Sequence, residues 1–230
     1  MKNRKLKVLI LMGLLVGVVI YVHNVPKGIS QEDKDALITI FDEDKVNAKE
    51  LSFEDQINYI DKLVNKLHGQ FKVLKPIQYN HKREPLQLIE NGGGYCYDFS
   101  RSIEKQLIIS GFKTRHAAVY LRKGSFFQTL SSKDVTSHSV CEVLTKNGWM
   151  VIDSNEPFYT QDVNGEVYSF KNLKDLEVTP TWKISPSRET SKFYWPKIEY
   201  VYGLYSRHGY FYAPYNAIPD YNFRELFYNF

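Results

Sequence analysis

The chain has 230 residues, 43% hydrophobic and 15% aromatic, which suits one folded domain with appendages, long enough to bury a core without staples, and excludes a disordered chain. Its net charge of +4 comes from Lys2, Arg4, Lys5 and Lys7; the other 26 basic residues balance the 26 acidic ones. Such a balance gives no support to a basic groove, so no nucleic-acid partner is expected.

The four bases precede an uncharged apolar run, Val8 to Val22, which with Leu6 approaches the ~17-residue lower limit for a bilayer-spanning helix. The run is long for a signal-peptide core, and His23, Asn24, Val25 and Pro26 offer no small-x-small cleavage pattern. An uncleaved signal anchor is therefore favoured over a cleaved signal peptide. The expectation is a single-pass protein of the cytoplasmic (inner) membrane, with residues 1–7 a basic tail inside, 8–23 the transmembrane anchor, and the remaining chain extracytoplasmic. Residues 24–50 are polar, with a short amphipathic stretch from Asp35 to Phe41, and read as a juxtamembrane connector. Residues 51–180 then form the main domain and 181–230 an aromatic-rich extension packed on it.

A firm helix opens the domain. Ser52 and Asp55 make a capping-box-like start, Phe53, Ile57, Ile60, Val64 and Leu67 recur at helical spacing, and Gly69 is a stop. A mixed stretch broken by Pro76 and Pro85 follows, with a short helical turn at Leu86 to Ile89. Then Gly92, Gly93 and Gly94 run into a second helix whose stripe is Phe99, Ile103 and Leu107, ended by Gly111. Strand patterns occupy Thr114 to Leu121, Ser139 to Leu144 and Trp149 to Asp153, the last two joined as a hairpin by a turn at Asn147-Gly148. A helix followed by antiparallel strands predicts an α+β layout. Sixteen of the last 50 residues are Phe, Trp or Tyr, including Phe193 to Trp195 and Tyr210 to Tyr212; packing against a sheet explains them better than ligand stacking. Tyr200 to Tyr205 reads as a further strand.

Cys96 carries the chemistry. It opens the helix after the glycines, where unpaired N–H groups and the macrodipole stabilise an anion. His138 and Asp153 follow on the two hairpin arms, in the order of a thiol nucleophile, its base and the base's orienter. Counted from the turn they are not directly opposite, so a wider loop, a bulge or a diagonal contact must bring them together. The only other cysteine, Cys141, would be the obvious disulfide partner in an exported domain. It lies three residues from His138, however, so on a regular strand it faces away from a site containing His138. Asp98 reads as support for the first helical turn, Arg115 as the partner of a structural carboxylate. The other histidines, His23, His68, His81, His116 and His208, show no partner pattern, and no metal-ligand spacing is present.

Four segments in order, Gly94 to Ser100, Ile109 to Arg115, Ser137 to Val143 and Gly148 to Asp153, resemble the transglutaminase-like superfamily over roughly residues 86 to 160. The resemblance implies a papain-like core, with the Cys-bearing helix packed on an antiparallel sheet and Cys96, His138 and Asp153 as nucleophile, general base and orienter. Two positions depart from the family pattern. Val140 stands where an aromatic residue is common, and Ser154 with Asn155 follows the acid where Pro is common. Both bear on substrate choice more than on the chemistry.

The expected function is attack on an amide or acyl bond through a Cys96 thioester, as peptidase, amidase or transglutaminase, on a peptide, protein or cell-envelope polymer. The rival class is an inactive binding or scaffold module for envelope glycan or protein. No cofactor, calcium or other metal is needed by this mechanism. The oxyanion hole is expected to use the Cys96 backbone N–H and a second donor, with Gln70, Gln78 and Gln87 as upstream candidates.

Overall fold

A computed structural model describes residues 2–42, 46–78, 82–132, 134–194, 197–205 and 220–230. Of the motifs above, His81, Trp195, His208 and Tyr210 to Tyr212 lie outside the described residues.

Helix α1 (Lys2–His23) contains an apolar span from Lys5 to His23, of mean hydropathy 2.3, with no buried residue in its apolar window. By length and composition it can cross a bilayer. The chain leaving it is stitched to the far end of the sequence rather than hanging as a tether. Asn24 bridges Tyr221, Val25 N–H donates to Tyr221 O at 2.7 Å, Asn222 Nδ2 donates to Val25 O at 2.8 Å, and the His23 ring meets Asp220 at 3.1 Å.

Helix α2 (Gln31–Phe41) starts with a Ser30–Asp33 capping box and buries Leu37, Ile40 and Phe41 in the main core. The amphipathic stretch assigned to a connector is therefore part of the folded body. Each such side chain contributes ~1.5–3 kcal/mol on burial, enough to hold an 11-residue helix in place. Helix α3 (Phe53–Gln70) takes its N-cap from Ser52, which accepts from Asp55 N–H, and runs one residue past Gly69. Its Ile57, Ile60, Leu63, Val64 and Leu67 face the same core.

Next come the short β1 (Lys72–Val73), α4 (Pro85–Asn91) and β2 (Gly93–Gly94), with β1 and β2 paired in parallel. Helix α5 (Cys96–Ile109) is the centre of the molecule. Phe99, Ile103 and Leu107 are fully buried, as the stripe predicts, but the polar face is enclosed too. Its charges are paired: Arg101 with Glu104 at 2.7 Å and Glu84 at 3.2 Å, and Lys105 with Asp33 and Glu84, both at 2.6 Å. Lys27, just past α1, reaches into the same cluster and meets Glu104 at 3.0 Å and Glu225. Buried charges of this kind persist only when paired.

The sheet comprises β3 (Lys113–Leu121), then, beyond α6 (Phe126–Ser131), β4 (Ser137–Thr145) and β5 (Gly148–Ile152). After α7 (Phe170–Lys174) and α8 (Arg188–Ser191), β6 (Ile198–Tyr202) completes it in the antiparallel order β5-β4-β3-β6. The C-terminal region thus supplies an edge strand as well as packing. The pair β7 (Leu204–Tyr205) and β8 (Asp220–Tyr221) and helix α9 (Phe223–Leu226) close the chain. Helix α5 packs on one sheet face with Cys141, Val143, Met150 and Ile152; the other face carries Val119, Val140, Val151, Phe158, Phe170 and Phe193. The fold is α+β, with the Cys-bearing helix on an antiparallel sheet.

Candidate active site

Cys96 is the first residue of α5. The first helical hydrogen bonds run from Asp98 N–H and Phe99 N–H to Tyr95 O, at 3.0 and 3.3 Å, so the Cys96 N–H lies ahead of the ladder. Two features hold the turn. Asp98 Oδ2 accepts from Tyr95 N–H at 2.8 Å, and the buried carboxylate takes both arms of the Arg83 guanidinium, Nε to Oδ1 at 2.6 Å. Asp98 thus supports the first turn, as its position suggests, and anchors residues 83–98 as well. Gly94 is required by proximity, because a Cβ there would lie 2.6 Å from Asp98 Cβ. Cys96 itself is half-buried.

The hairpin register explains how His138 and Asp153 meet. Thr145 pairs with Gly148, so the two turn residues are Lys146 and Asn147, one position earlier than the Asn-Gly pattern suggests. Cys141 then stands opposite Ile152, and continuing that register puts Asp153 opposite Val140. His138 and Asp153 are on the same face, two positions apart across the strands, and meet diagonally: Nε2 to Oδ2 is 2.7 Å. With Nε2 so engaged, Nδ1 is the ring nitrogen left for a thiol, and Cys96 is near enough to contribute to the charge balance of the ring. His138 is 3% exposed and Asp153 fully buried, so water screens the pair little.

Electrostatics follow from this enclosure. Burial works to lower the His138 pKa, but the Asp153 charge and hydrogen bond, with Cys96 adding to them, outweigh it and push it up to about 10. Burial works to raise the Asp153 pKa; His138, Tyr194 and the Asn155 N–H overcome it and hold the carboxyl below its ordinary value. Every lone-pair direction of Asp153 is used: Oδ2 by His138 and by the Tyr194 hydroxyl at 2.6 Å, Oδ1 by the N–H groups of Asn155 at 2.6 Å and Glu156 at 3.1 Å.

Tyr194 and its neighbour Phe193, whose ring lies 4.8 Å from the His138 ring, border the site, and sequence reasoning did not single them out among the C-terminal aromatics. The adjacency of an aromatic pair to a carboxylate 41 residues upstream leaves no local signal. His68 was also passed over. It stacks on Phe99 at 5.1 Å near Asp153, and burial, opposed by Asp153, pushes its pKa down to about 4.

Cys141 is a free thiol in the core under α5, on the sheet face opposite His138, as strand parity predicts. Arg115 pairs with the buried Glu142, Nε to Oε2 at 2.7 Å, between the rings of Trp149 and Tyr202. Of the three glutamines, Gln70 donates to Ile40 O at 2.9 Å, Gln87 accepts from Glu84 N–H at 3.3 Å, and Gln78 is exposed.

Residues 47–154 match the transglutaminase-like superfamily. Arylamine N-acetyltransferase C from Bacillus anthracis aligns over 55% of this chain at 18% identity with a TM-score of 0.31; the chain spans about half of that enzyme, 49% of its length. No curated protein matches. The chain therefore carries a transglutaminase-like core, which supports cysteine-based acyl transfer or hydrolysis.

Proposed function

We propose that this chain, carrying a transglutaminase-like core, is a membrane-anchored extracytoplasmic enzyme that opens an amide or acyl bond through a thioester on Cys96. The observation that carries the reading is the buried His138–Asp153 pair, Nε2 to Oδ2 at 2.7 Å, held beside the cysteine that opens α5. An imidazolium held up to about pH 10 is a proton donor at neutral pH, and a thiolate formed on Cys96 makes an ion pair with it.

The thiolate attacks the acyl carbon. The oxyanion that forms takes the Cys96 N–H at the start of α5. His138 gives its proton to the leaving amine as the C–N bond breaks, which leaves a thioester and a neutral imidazole. That imidazole then accepts a proton from the second nucleophile, water or an amine, as it attacks the thioester. Collapse of the second tetrahedral intermediate expels the Cys96 thiolate and restores the ion pair. Asp153 keeps its charge throughout, fixing the ring orientation and stabilising the imidazolium. Water gives a peptidase or amidase and an amine gives a transglutaminase; the steps up to the thioester are common to both.

Helix α1 supports the anchor, and the charge bias of Lys2, Arg4, Lys5 and Lys7 favours an N-terminus in the cytoplasm. The reading is tested with an iodoacetamide-based probe on the full chain under reducing conditions. Cys96 should label at neutral pH, Cys96→Ala should remove the label, and His138→Ala should slow it. A Cys96 no more reactive than free cysteine would assign the chain to a binding or scaffold role.

A further inference from the structure

The end of the sheet that carries His138 borders a second cavity of about 570 Å³. Leu121, Trp182 and Pro186 form apolar walls, and Arg122, Lys192 and Lys197 supply cations. Three observations bear on its occupant. First, Arg122 N–H donates to Lys197 O at 3.0 Å, so the two cations stand opposite one another just past the β3–β6 ladder, where like charges repel. Glu199 meets Arg122 at 2.9 Å but is shared with Lys174 at 3.0 Å. Second, Thr179 lines the cavity, and its Oγ1 is buried without a hydrogen-bond partner. Third, a single ring lies between a cation of the cavity and the His138 imidazole. The Lys192 ammonium lies 5.6 Å from the centre of the Phe193 ring, the same ring that lies 4.8 Å from the His138 imidazole. Leu121 is two residues past Val119, the register partner of His138.

We propose that this cleft is a substrate subsite for an acidic peptide. A Glu or Asp carboxylate sits among Arg122, Lys192 and Lys197, a neighbouring apolar side chain lies against Trp182, and the scissile acyl group reaches Cys96. Only the last of these clauses rests on the thiol-enzyme reading; peptide binding itself does not need the thiol.

The test uses the full chain in neutral detergent micelles with Cys96→Ala, so that no acyl transfer intervenes. Two labelled pentapeptides, Ala-Glu-Phe-Glu-Ala and Ala-Gln-Phe-Gln-Ala, are titrated by fluorescence anisotropy. The acidic peptide should bind about fivefold to tenfold more tightly at low salt, and the advantage should shrink as salt is added. Lys197→Gln should reduce the preference and Lys197→Glu should erase or invert it, while Lys62→Glu on α3, outside the cleft, should keep it. Equal binding of the two peptides, or a preference that survives Lys192→Glu with Lys197→Glu, would overturn the assignment. So would displacement of both peptides alike by polyphosphate with no preference between them, which would make the cleft a polyanion site. An inert Cys96 in the separate labelling assay would refute the enzyme and leave this binding result standing.

Discussion

Replacing Tyr194 by Phe removes one oxygen from the site and leaves the ring contacts with Phe158 and Phe170 in place. The lost bond is the 2.6 Å donation to Asp153 Oδ2, between two groups that are 2% and 0% exposed. A hydrogen bond to a buried charge contributes ~1.5–3 kcal/mol, and removing the donor leaves the carboxylate undersolvated. At ~2–4 °C per kcal/mol for a chain of this size, the full chain should melt roughly 3–12 °C lower at neutral pH. Asp153 is held below its ordinary 3.8, so the bond stabilises above that value and its contribution is lost as pH falls through the folded-state pKa. The difference between wild type and variant should therefore be full at neutral pH and fade in acid. The assay is thermal melting by circular dichroism across that range, repeated on an Asp153→Asn background, where a coupling of about 1 kcal/mol is expected. A neutral-pH shift below about 1 °C, or the same loss on both backgrounds, would refute the view that Tyr194 acts through Asp153.

His138, held up to about 10 against an ordinary 6.5, contributes stability that is full below 6.5 and drains away as pH rises through about 10; stability curves from pH 6 to 11 check this. His138→Ala should slow Cys96 alkylation at neutral pH by roughly tenfold or more, because the thiolate loses its counter-ion; a rate within twofold of wild type would remove the ion pair. Gly94→Ala would drive a methyl into Asp98 and loosen its buried pair with Arg83, at ~3–5 kcal/mol, read by melting and by altered Cys96 labelling. Arg115→Met should cost a similar ~3–5 kcal/mol by stranding the buried Glu142, and adding Glu142→Gln should recover part of it.

Sequence reading reached the parts of the site that depend on neighbours along the chain. Helices α3 and α5 show in their apolar spacing and caps, the hairpin in its alternation and turn, and the opposed facing of His138 and Cys141 in strand parity. The turn was placed one residue late because Asn147-Gly148 has the composition of a two-residue loop, whereas Gly148, at φ 126°, is the first residue of β5. What could not be read is long-range. The polar face of α5 looks solvated in sequence, yet its Arg101 and Lys105 find partners as distant as Asp33. The amphipathic face of α2 is too short to announce which core it joins. Strand β6 pairs with a strand some eighty residues earlier, and nothing in the aromatic spacing of 193–205 reveals that one hydroxyl meets Asp153.

The backbone pairing of residues 24–25 with Tyr221, joined by the Asn222 side chain, has a mechanical consequence for the proposed anchor. A domain on a flexible linker samples a volume whose radius grows with the square root of linker length, and its encounter with surface-bound substrate is set by that spread. Here the chain enters a fixed fold within two residues of α1, and Lys27 is clamped by Glu104 on the helix that begins with Cys96. In the proposed anchored form, tilt of α1 would be transmitted to Cys96 as by a rigid lever. The height of the cleft above the lipid would then be a property of the fold, and an inserted flexible segment after His23 would change which substrates are in range without touching Cys96, His138 or Asp153.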